Sequence, residues 1–260
     1  MLLVVDVGNT NIVLGVYRGQ SIVATWRLST DARRMADEYA ALLHSLFTSA
    51  GLSFRDVRAI AVASVVPPLI TVFQELAQRF FEREPFLVGP GVKTGVRVQF
   101  ENPKEVGADR VANALACYRR YGGPAVVIDL GTATTFDAIS AEGDYLGGAI
   151  APGITIAADA LFQRTARLPR IELVAPKTAI GRTTVSGMQS GIVFGYVGLI
   201  EGMVARFKRE LGPARVIATG GLARVIARET PLIEVVDPNL TLDGIRMIYE
   251  LNHKGAESGV

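Results

Sequence analysis

The stretch LLVVDVGNTN, residues 2–11, decides the fold, because a second stretch, AVVIDLGTATT at residues 125–135, resembles it. Each begins as an apolar run typical of a buried strand. Each run ends in Asp-x-Gly followed by small or polar residues. A shift of 123 positions, 129 − 6, places Ile128-Asp129-Leu130-Gly131 on Val5-Asp6-Val7-Gly8. The chain is therefore predicted to be a duplication of one α/β unit.

The order of elements around the two stretches repeats as well. Short apolar runs predict three consecutive strands at the start of each half. Helical spacing, a further strand and a second helix then follow in both halves. The first half ends near Gly122-Gly123. We therefore expect an N-terminal domain over residues 1–122 and a C-terminal domain over residues 123–260.

Composition restricts the possible partners and surroundings. Of 260 residues, 49% are hydrophobic and 20% charged, which is typical of a soluble protein that folds by itself. The 27 basic and 25 acidic residues leave a net charge of +2 with little clustering, so nucleic acid is not expected as a partner. The longest apolar stretch, residues 59–66, is far shorter than the roughly 20 residues that span a bilayer. Without a signal peptide pattern at Met1, we expect a cytoplasmic protein with no membrane contact.

Cysteine and histidine are too few for redox or zinc chemistry. The single cysteine, Cys117, excludes an intramolecular disulfide, and its apolar surroundings favour a buried thiol. Only His44 and His253 could join it in a zinc site. Any metal is therefore expected to have oxygen ligands, as Mg²⁺ and alkali ions do.

The two Asp-x-Gly stretches are candidate phosphate sites. Gly8 lets backbone N–H groups approach a ligand, and Asp6 can hold Mg²⁺ or its waters, which bridge to phosphate oxygens. One such stretch alone is more typical of an ordinary hairpin turn, whereas two favour a nucleotide site. Hydroxyl groups in the second stretch, such as that of Thr132, can donate to phosphate oxygens. Paired glycines after a predicted strand, Gly220 and Gly221, could accommodate a base and ribose.

Common alternative nucleotide and hydrolase motifs are absent from the sequence. Residues 89–94, GPGVKT, lack the glycine that precedes lysine in a P-loop. No Gly-x-Gly-x-x-Gly follows a strand, and no Gly-x-Ser-x-Gly elbow occurs. Dinucleotide oxidoreductases and serine hydrolases are therefore disfavoured.

Together, the two strand-rich halves, the two Asp-x-Gly turns and the Gly-Gly loop resemble the actin-like ATPase superfamily, which includes sugar kinases, acetate kinase, heat-shock chaperones and actin. This resemblance implies two duplicated ribonuclease-H-like domains. Each would contain a mixed five-stranded sheet with flanking helices, and the last helix would pack back on the first domain.

Within that superfamily, motifs over almost the full chain resemble the type III pantothenate kinase family. They are DVGNT at 6–10, NPKEVGADR at 102–110, DLGTAT at 129–134, GGAIAPG at 147–153 and MQSG at 188–191. The resemblance implies phosphorylation of the primary hydroxyl of pantothenate by ATP, which yields 4'-phosphopantothenate in the first step of coenzyme A biosynthesis.

The resemblance also implies roles for individual residues. Asp109 matches the catalytic base, Asp6 the carboxylate that holds Mg²⁺ through water, and Asp129 the ligand of a monovalent cation, K⁺ or NH₄⁺. Arg110, at a predicted helix start, can pair with the carboxylate of pantothenate. Expected ATP-binding residues are Asp6, Val7, Gly8, Asn9, Thr10, Asn11, Ile12, Val13, Thr132, Gly220 and Gly221. Expected pantothenate-binding residues are Phe100, Gly107, Ala108, Asp109, Arg110 and Thr184, of which Phe100 is equally compatible with an ordinary core position.

A long predicted helix at 185–211 carries five glycines that would let another helix approach closely, and the resemblance implies that this region helps to form a homodimer. Two alternatives to the kinase stay open. One is a nucleotide-binding regulatory protein, such as an accessory transcription factor without catalysis, and the other is a kinase for a different small hydroxy acid. The presence of both Asp109 and Arg110 favours an enzyme over a regulator.

Overall fold

The computed structural model describes residues 1–253, and contacts divide the chain into two units. Of the described residues, unit 1 comprises Met1–Gly95, Asn102–Ala116 and 241–253. Unit 2 comprises Val96–Glu101 and Cys117–Leu240. The domain boundary predicted between residues 122 and 123 stays a prediction.

Unit 1 contains a mixed five-stranded sheet in the order β3-β2-β1-β4-β5. Its strands are β1 (Leu2–Val7), β2 (Asn11–Arg18), β3 (Ser21–Ser29), β4 (Ala59–Ser64) and β5 (Phe86–Val88). Its helices include α1 (Ala36–Ser49), α2 (Pro67–Phe81) and the first part of α3 (Ala108–Tyr121). The first three strands are antiparallel, and β4 and β5 continue the sheet in parallel to β1.

Unit 2 repeats this arrangement in the order β8-β7-β6-β9-β10. Its strands are β6 (Ala125–Leu130), β7 (Ala133–Ile139), β8 (Tyr145–Pro152), β9 (Arg215–Thr219) and β10 (Val235–Val236). The remaining helices are α4 (Ile154–Arg164), α5 (Thr184–Leu211), α6 (Ala223–Ala227) and α7 (Leu240–His253), the last of which lies mostly in unit 1. The two sheets have the same order and the same directions, so the predicted duplication is confirmed.

Each unit has its own hydrophobic core. In unit 1 the central strand β1 contributes Leu3 and Val5, which pack with side chains of α1 and α2. In unit 2 the equivalent strand β6 contributes Val126 and Ile128, which pack with one face of α5. A central strand flanked by parallel and antiparallel neighbours is covered by helices, which explains the continuous apolar runs in the sequence.

Helix α5 alone among residues 1–253 is long and apolar enough to cross a membrane by length and composition. Core helices of soluble proteins pass the same test. Its buried residues Val193, Ile200 and Val204 belong to the core of unit 2. One face of the helix therefore packs in the core of unit 2.

Candidate active site

The hairpin between β1 and β2 carries the first predicted phosphate site. Asp6 lies one residue before the end of β1, and Val7 pairs with Ile12 across the hairpin. The Gly8 N–H donates to the Asn11 carbonyl at 3.0 Å, and the Thr30 hydroxyl donates to the Gly8 carbonyl at 2.7 Å. Residues 9–11 are exposed. The structure therefore forms a tight turn with accessible backbone beside a carboxylate.

The start of α3 reaches the same edge of this sheet. A side chain at Gly107 would overlap the Asp109 carboxylate and would lie 3.7 Å from Val65. The Val65 N–H donates to the carbonyl of Val7, at the end of β1, over 3.0 Å. Gly107 and Asp109 therefore lie at the edge of the unit 1 sheet where β1 and β4 end. This is also the edge that carries Asp6 and Gly8.

The Asp109 carboxylate is oriented by the backbone that follows it. The Arg110 N–H donates to Asp109 Oδ1 over 2.8 Å, and both side chains are half-buried. Ala108 is the first residue of α3, so this carboxylate lies in the first turn of a helix, where the dipole stabilises negative charge. The predicted grouping of Gly107, Ala108, Asp109 and Arg110 at one helix start is therefore present.

In unit 2, Asp129 near the end of β6 pairs in register with Thr219 at the end of β9. Gly220 follows with a φ of +92°, and a side chain there would lie 2.6 Å from Asp129 Oδ1. A side chain at Gly131 would lie 3.3 Å from the same oxygen. Only glycine fits Gly220 without strain. The structure thus brings the predicted cation ligand, the second Asp-x-Gly turn and the Gly-Gly loop together.

The threonines of the second turn have different environments. Thr132 is exposed, and a side chain at Gly153 would overlap its carbonyl, so Gly153 supports this turn. Thr134 is buried within β7. The Thr135 hydroxyl donates to the buried carboxylate of Asp137 at 3.4 Å. Of the three threonines, Thr132 is therefore the most exposed residue.

Phe100 is not an ordinary core residue. Its side chain is 37% exposed, and its ring lies 3.8 Å from the position of a side chain at Gly147. Its ring centroid is 6.5 Å from that of Tyr145, whose hydroxyl donates to Asp137 at 3.0 Å. The residue is therefore an exposed aromatic ring above a glycine, which is compatible with a binding surface.

Thr184 is the first residue of α5 and is exposed. Thr183 caps this helix, because its hydroxyl oxygen accepts from the Ser186 N–H at 3.1 Å. The Thr183 side chain is thus committed to the helix start, whereas Thr184 lies beside it at the surface of unit 2.

The two turns offer oxygen atoms as possible cation ligands. Among residues 1–253, no group of three histidine, cysteine or acidic side chains could hold a metal ion. Asp6 and Asp129 each offer one carboxylate next to backbone oxygens of a glycine turn. Such oxygen donors suit Mg²⁺ that keeps its waters, or an alkali ion, and do not suit zinc.

Cys117 is confirmed as a buried thiol. It lies in α3 with no exposed surface, and burial raises its pKa to about 12. Since the thiolate is the reactive form, this cysteine takes no part in chemistry near neutral pH.

Comparison with known proteins agrees with this geometry. The model of the type III pantothenate kinase family matches residues 2–206. A type III pantothenate kinase from Moorella thermoacetica is 53% identical over 253 residues, which cover 97% of this chain and all of that protein. A second, from Geobacter sulfurreducens, is 52% identical over 255 residues, or 98% of this chain and all of the relative.

The chain belongs to the type III pantothenate kinase family. It is therefore an enzyme that phosphorylates pantothenate in coenzyme A biosynthesis, as the sequence motifs indicated.

Solved structures show the fold. A Baf family transcriptional activator from Campylobacter jejuni has a TM-score of 0.62 at 21% identity, covering 97% of this chain and 99% of its own. The activator of 2-hydroxyisocaproyl-CoA dehydratase from Clostridium difficile, solved with bound ADPNP, has a TM-score of 0.55 at 12% identity, covering 100% and 98% of the two chains. Together with the two five-stranded sheets, these similarities confirm the predicted actin-like ATPase fold.

Proposed function

We propose that the chain transfers the γ-phosphoryl group of ATP to the primary hydroxyl of pantothenate with Asp109 as general base. The observation that carries this proposal is that Gly107 lies close to Val65, which is hydrogen-bonded to Val7. It supports a position for Asp109 at the sheet edge that also carries the turn after Asp6. Phosphoryl transfer depends mainly on such positioning and on neutralisation of charge.

In the proposed reaction, the hydroxyl oxygen of pantothenate forms a bond to the γ-phosphorus as the bond to the bridging oxygen of ADP breaks. Asp109 accepts the hydroxyl proton. The Arg110 N–H holds one carboxylate oxygen, which orients the base. The Arg110 guanidinium pairs with the carboxylate of pantothenate, and this pairing fixes the substrate at the start of α3.

The two glycine turns are proposed to hold the phosphates of ATP. The exposed residues 9–11 would supply backbone N–H donors, and the exposed residue Thr132 would supply its hydroxyl. The backbone at Gly220 and Gly221 leaves space for adenosine. Asp6 would hold Mg²⁺ through water, and Asp129 would hold K⁺ or NH₄⁺. When bound, these cations neutralise the negative charge of the phosphates.

We also propose a cytoplasmic homodimer in which α5 contributes to the interface. At four of its glycines, Gly187, Gly191, Gly195 and Gly198, nothing lies within 4 Å of the place that a Cβ atom would take, so a second helix could approach them. Nearby elements of unit 2 expose large apolar side chains, with Ile180 83% and Ile150 67% exposed. A monomeric mass in light scattering at micromolar concentration would contradict the dimer.

Phe100 and Thr184 are proposed to line the pantothenate pocket.

The proposed function is tested by identifying the product while the cation of the buffer and the residue at position 110 are varied. Purified protein is incubated with MgATP and pantothenate in potassium or sodium buffer, and the product is identified by ³¹P NMR and mass spectrometry. We expect 4'-phosphopantothenate, formed faster in potassium. Arg110→Lys should raise KM for pantothenate roughly 10-fold or more, because a bidentate pair is lost. Equal rates in both buffers would contradict the cation site, and an unchanged KM would contradict the role of Arg110.

A further inference from the structure

Helix α7 makes a hydrogen bond to α3 one turn after Asp109. The Thr241 hydroxyl donates to Asn113 Oδ1 at 2.8 Å. Asn113 is 1% exposed, and it lies four residues after Asp109, so the two residues share a face of α3. A contact that fixes Asn113 therefore also fixes the turn of α3 that carries Asp109 and Arg110.

The same two helices are in direct backbone contact. A side chain at Gly244 would overlap the carbonyl of Ala112. Glycine is required there because the helices approach more closely than any side chain allows. The Thr241 hydrogen bond is thus formed at a crossing where the backbones leave little freedom to shift.

Another face of α7 contacts β2, the strand that follows the turn after Asp6, near the end of β2 where Tyr17 pairs with Leu2. The Tyr17 hydroxyl donates to Asp243 Oδ1 at 3.1 Å, and Arg246 Nε lies 3.6 Å from the same oxygen. The Arg246 guanidinium carbon also lies 5.5 Å from the centroid of the Tyr17 ring. Both charged side chains are buried. Helix α7 therefore connects the strand of the phosphate hairpin to the helix of the proposed base, within unit 1.

We propose that Thr241 is a positioning residue for phosphoryl transfer, which acts through Asn113 on the start of α3. This proposal rests on the roles proposed for Asp109 and Arg110. The hairpin after Asp6 holds phosphate, whereas the start of α3 holds the hydroxyl substrate, so their relative position sets the distance between the reacting atoms. A displacement of about 1 Å in such a site can lower the rate by up to roughly 10²-fold.

The test compares Thr241→Val, which removes the hydroxyl at similar volume, with Thr241→Ser, which retains it. Thr230→Val is the matched control, because the Thr230 hydroxyl donates to Glu201 Oε1 at 2.7 Å and is buried in unit 2. All steady-state constants are measured well below the unfolding temperature of each variant. We expect Thr241→Val to lower kcat roughly 5- to 20-fold and to raise KM for pantothenate several-fold, with KM for ATP unchanged.

In Thr241→Ser, kcat and KM for pantothenate should stay close to their wild-type values. Thr230→Val should lower Tm without changing kcat or KM for pantothenate. A merely structural role of Thr241 would lower Tm and leave KM for pantothenate unchanged, and that result would overturn the proposal. Equal changes in KM for ATP and for pantothenate would overturn it as well. Asp109→Asn is measured in parallel: if it keeps wild-type kcat, the assignment of the base fails by itself, while a raised KM for pantothenate in Thr241→Val still supports positioning through Arg110.

Discussion

Helices α3 and α7 occupy equivalent positions in the order of elements of the two halves, yet we propose different roles for them. Each follows the fifth strand of its half, and each has 14 residues. Their fifth residues, Ala112 and Gly244, are in contact. Their second residues differ, since α3 has Asp109 and α7 has Thr241. On the roles proposed above, one copy of the helix carries the catalytic base and the other holds it in position.

Among substitutions at the contact between α3 and α7, the largest loss of stability is expected from Gly244→Ala. A methyl group there would overlap the Ala112 carbonyl, so α7 has to move away from α3. Overpacking of this kind costs typically 1–3 kcal/mol, and we expect a loss of about 3 kcal/mol in the free energy of unfolding, measured by urea denaturation. Gly89→Ala is the matched control, because nothing lies within 4 Å of a side chain at Gly89.

A double substitution sharpens the same prediction. The overlapping atoms belong to the backbone of Ala112, so Ala112→Gly should not restore the stability of Gly244→Ala. Ala112→Gly should instead add a loss of about 1 kcal/mol from its lower helix propensity. Recovery of stability in the double variant would show that the close contact is not with the backbone.

A smaller loss of stability is expected at high pH, because the tenth residue of α3 is a buried thiol and that of α7 is not. Cys117 of α3 is fully buried, with its pKa raised from 9.0 to about 12, whereas Tyr249 of α7 is half-buried. Above pH 9 the thiol of the unfolded chain loses its proton and that of the folded chain retains it. The stability that this difference contributes is complete below pH 9 and is lost as pH rises toward 12.

Between pH 9 and pH 11, wild type should therefore lose about 2 kcal/mol more stability than Cys117→Ala, as measured by denaturation at each pH. Equal losses in the two proteins would mean that the Cys117 thiol is solvated in the folded state.

The smallest effect is expected from Tyr17→Phe, which tests how α7 is held to β2. The hydroxyl donates to the buried carboxylate of Asp243, and a hydrogen bond to a charged group contributes about 1.5 kcal/mol or more. Tyr196→Phe is the control, because the Tyr196 hydroxyl donates to the neutral Pro152 carbonyl at 2.9 Å. Urea denaturation should show a loss of about 1.5 kcal/mol for Tyr17→Phe and about 1 kcal/mol for the control. A larger loss in Tyr196→Phe would contradict the importance assigned to the Asp243 contact.

Much of the fold could be predicted from the sequence, because apolar runs and glycine turns are local signals. Strands such as Leu2–Val7 and Ala125–Leu130 begin and end as the patterns indicate. Helix α4 was not predicted, since Ile156 and Phe162 are exposed and its apolar residues do not form one stripe. The resemblance to a family supplied the fold name and the roles of the site residues.

The contacts of α7 could not be predicted in the same way. Thr241 lies 128 positions from Asn113, and Asp243 lies 226 positions from Tyr17. No local pattern connects residues so far apart, and a threonine in the first turn of a helix is ordinary by itself. Likewise, the different environments of Thr132 and Thr134 depend on the neighbouring strands rather than on the run of threonines.

The most direct test of the division between the two helices is the rate of phosphoryl transfer by Asp109→Asn at saturating ATP and pantothenate. General bases contribute typically 10²- to 10⁴-fold, so we expect kcat to fall at least about 100-fold while Tm and KM for ATP stay unchanged. A kcat equal to that of wild type in the folded variant would contradict the assignment of the chemistry to α3.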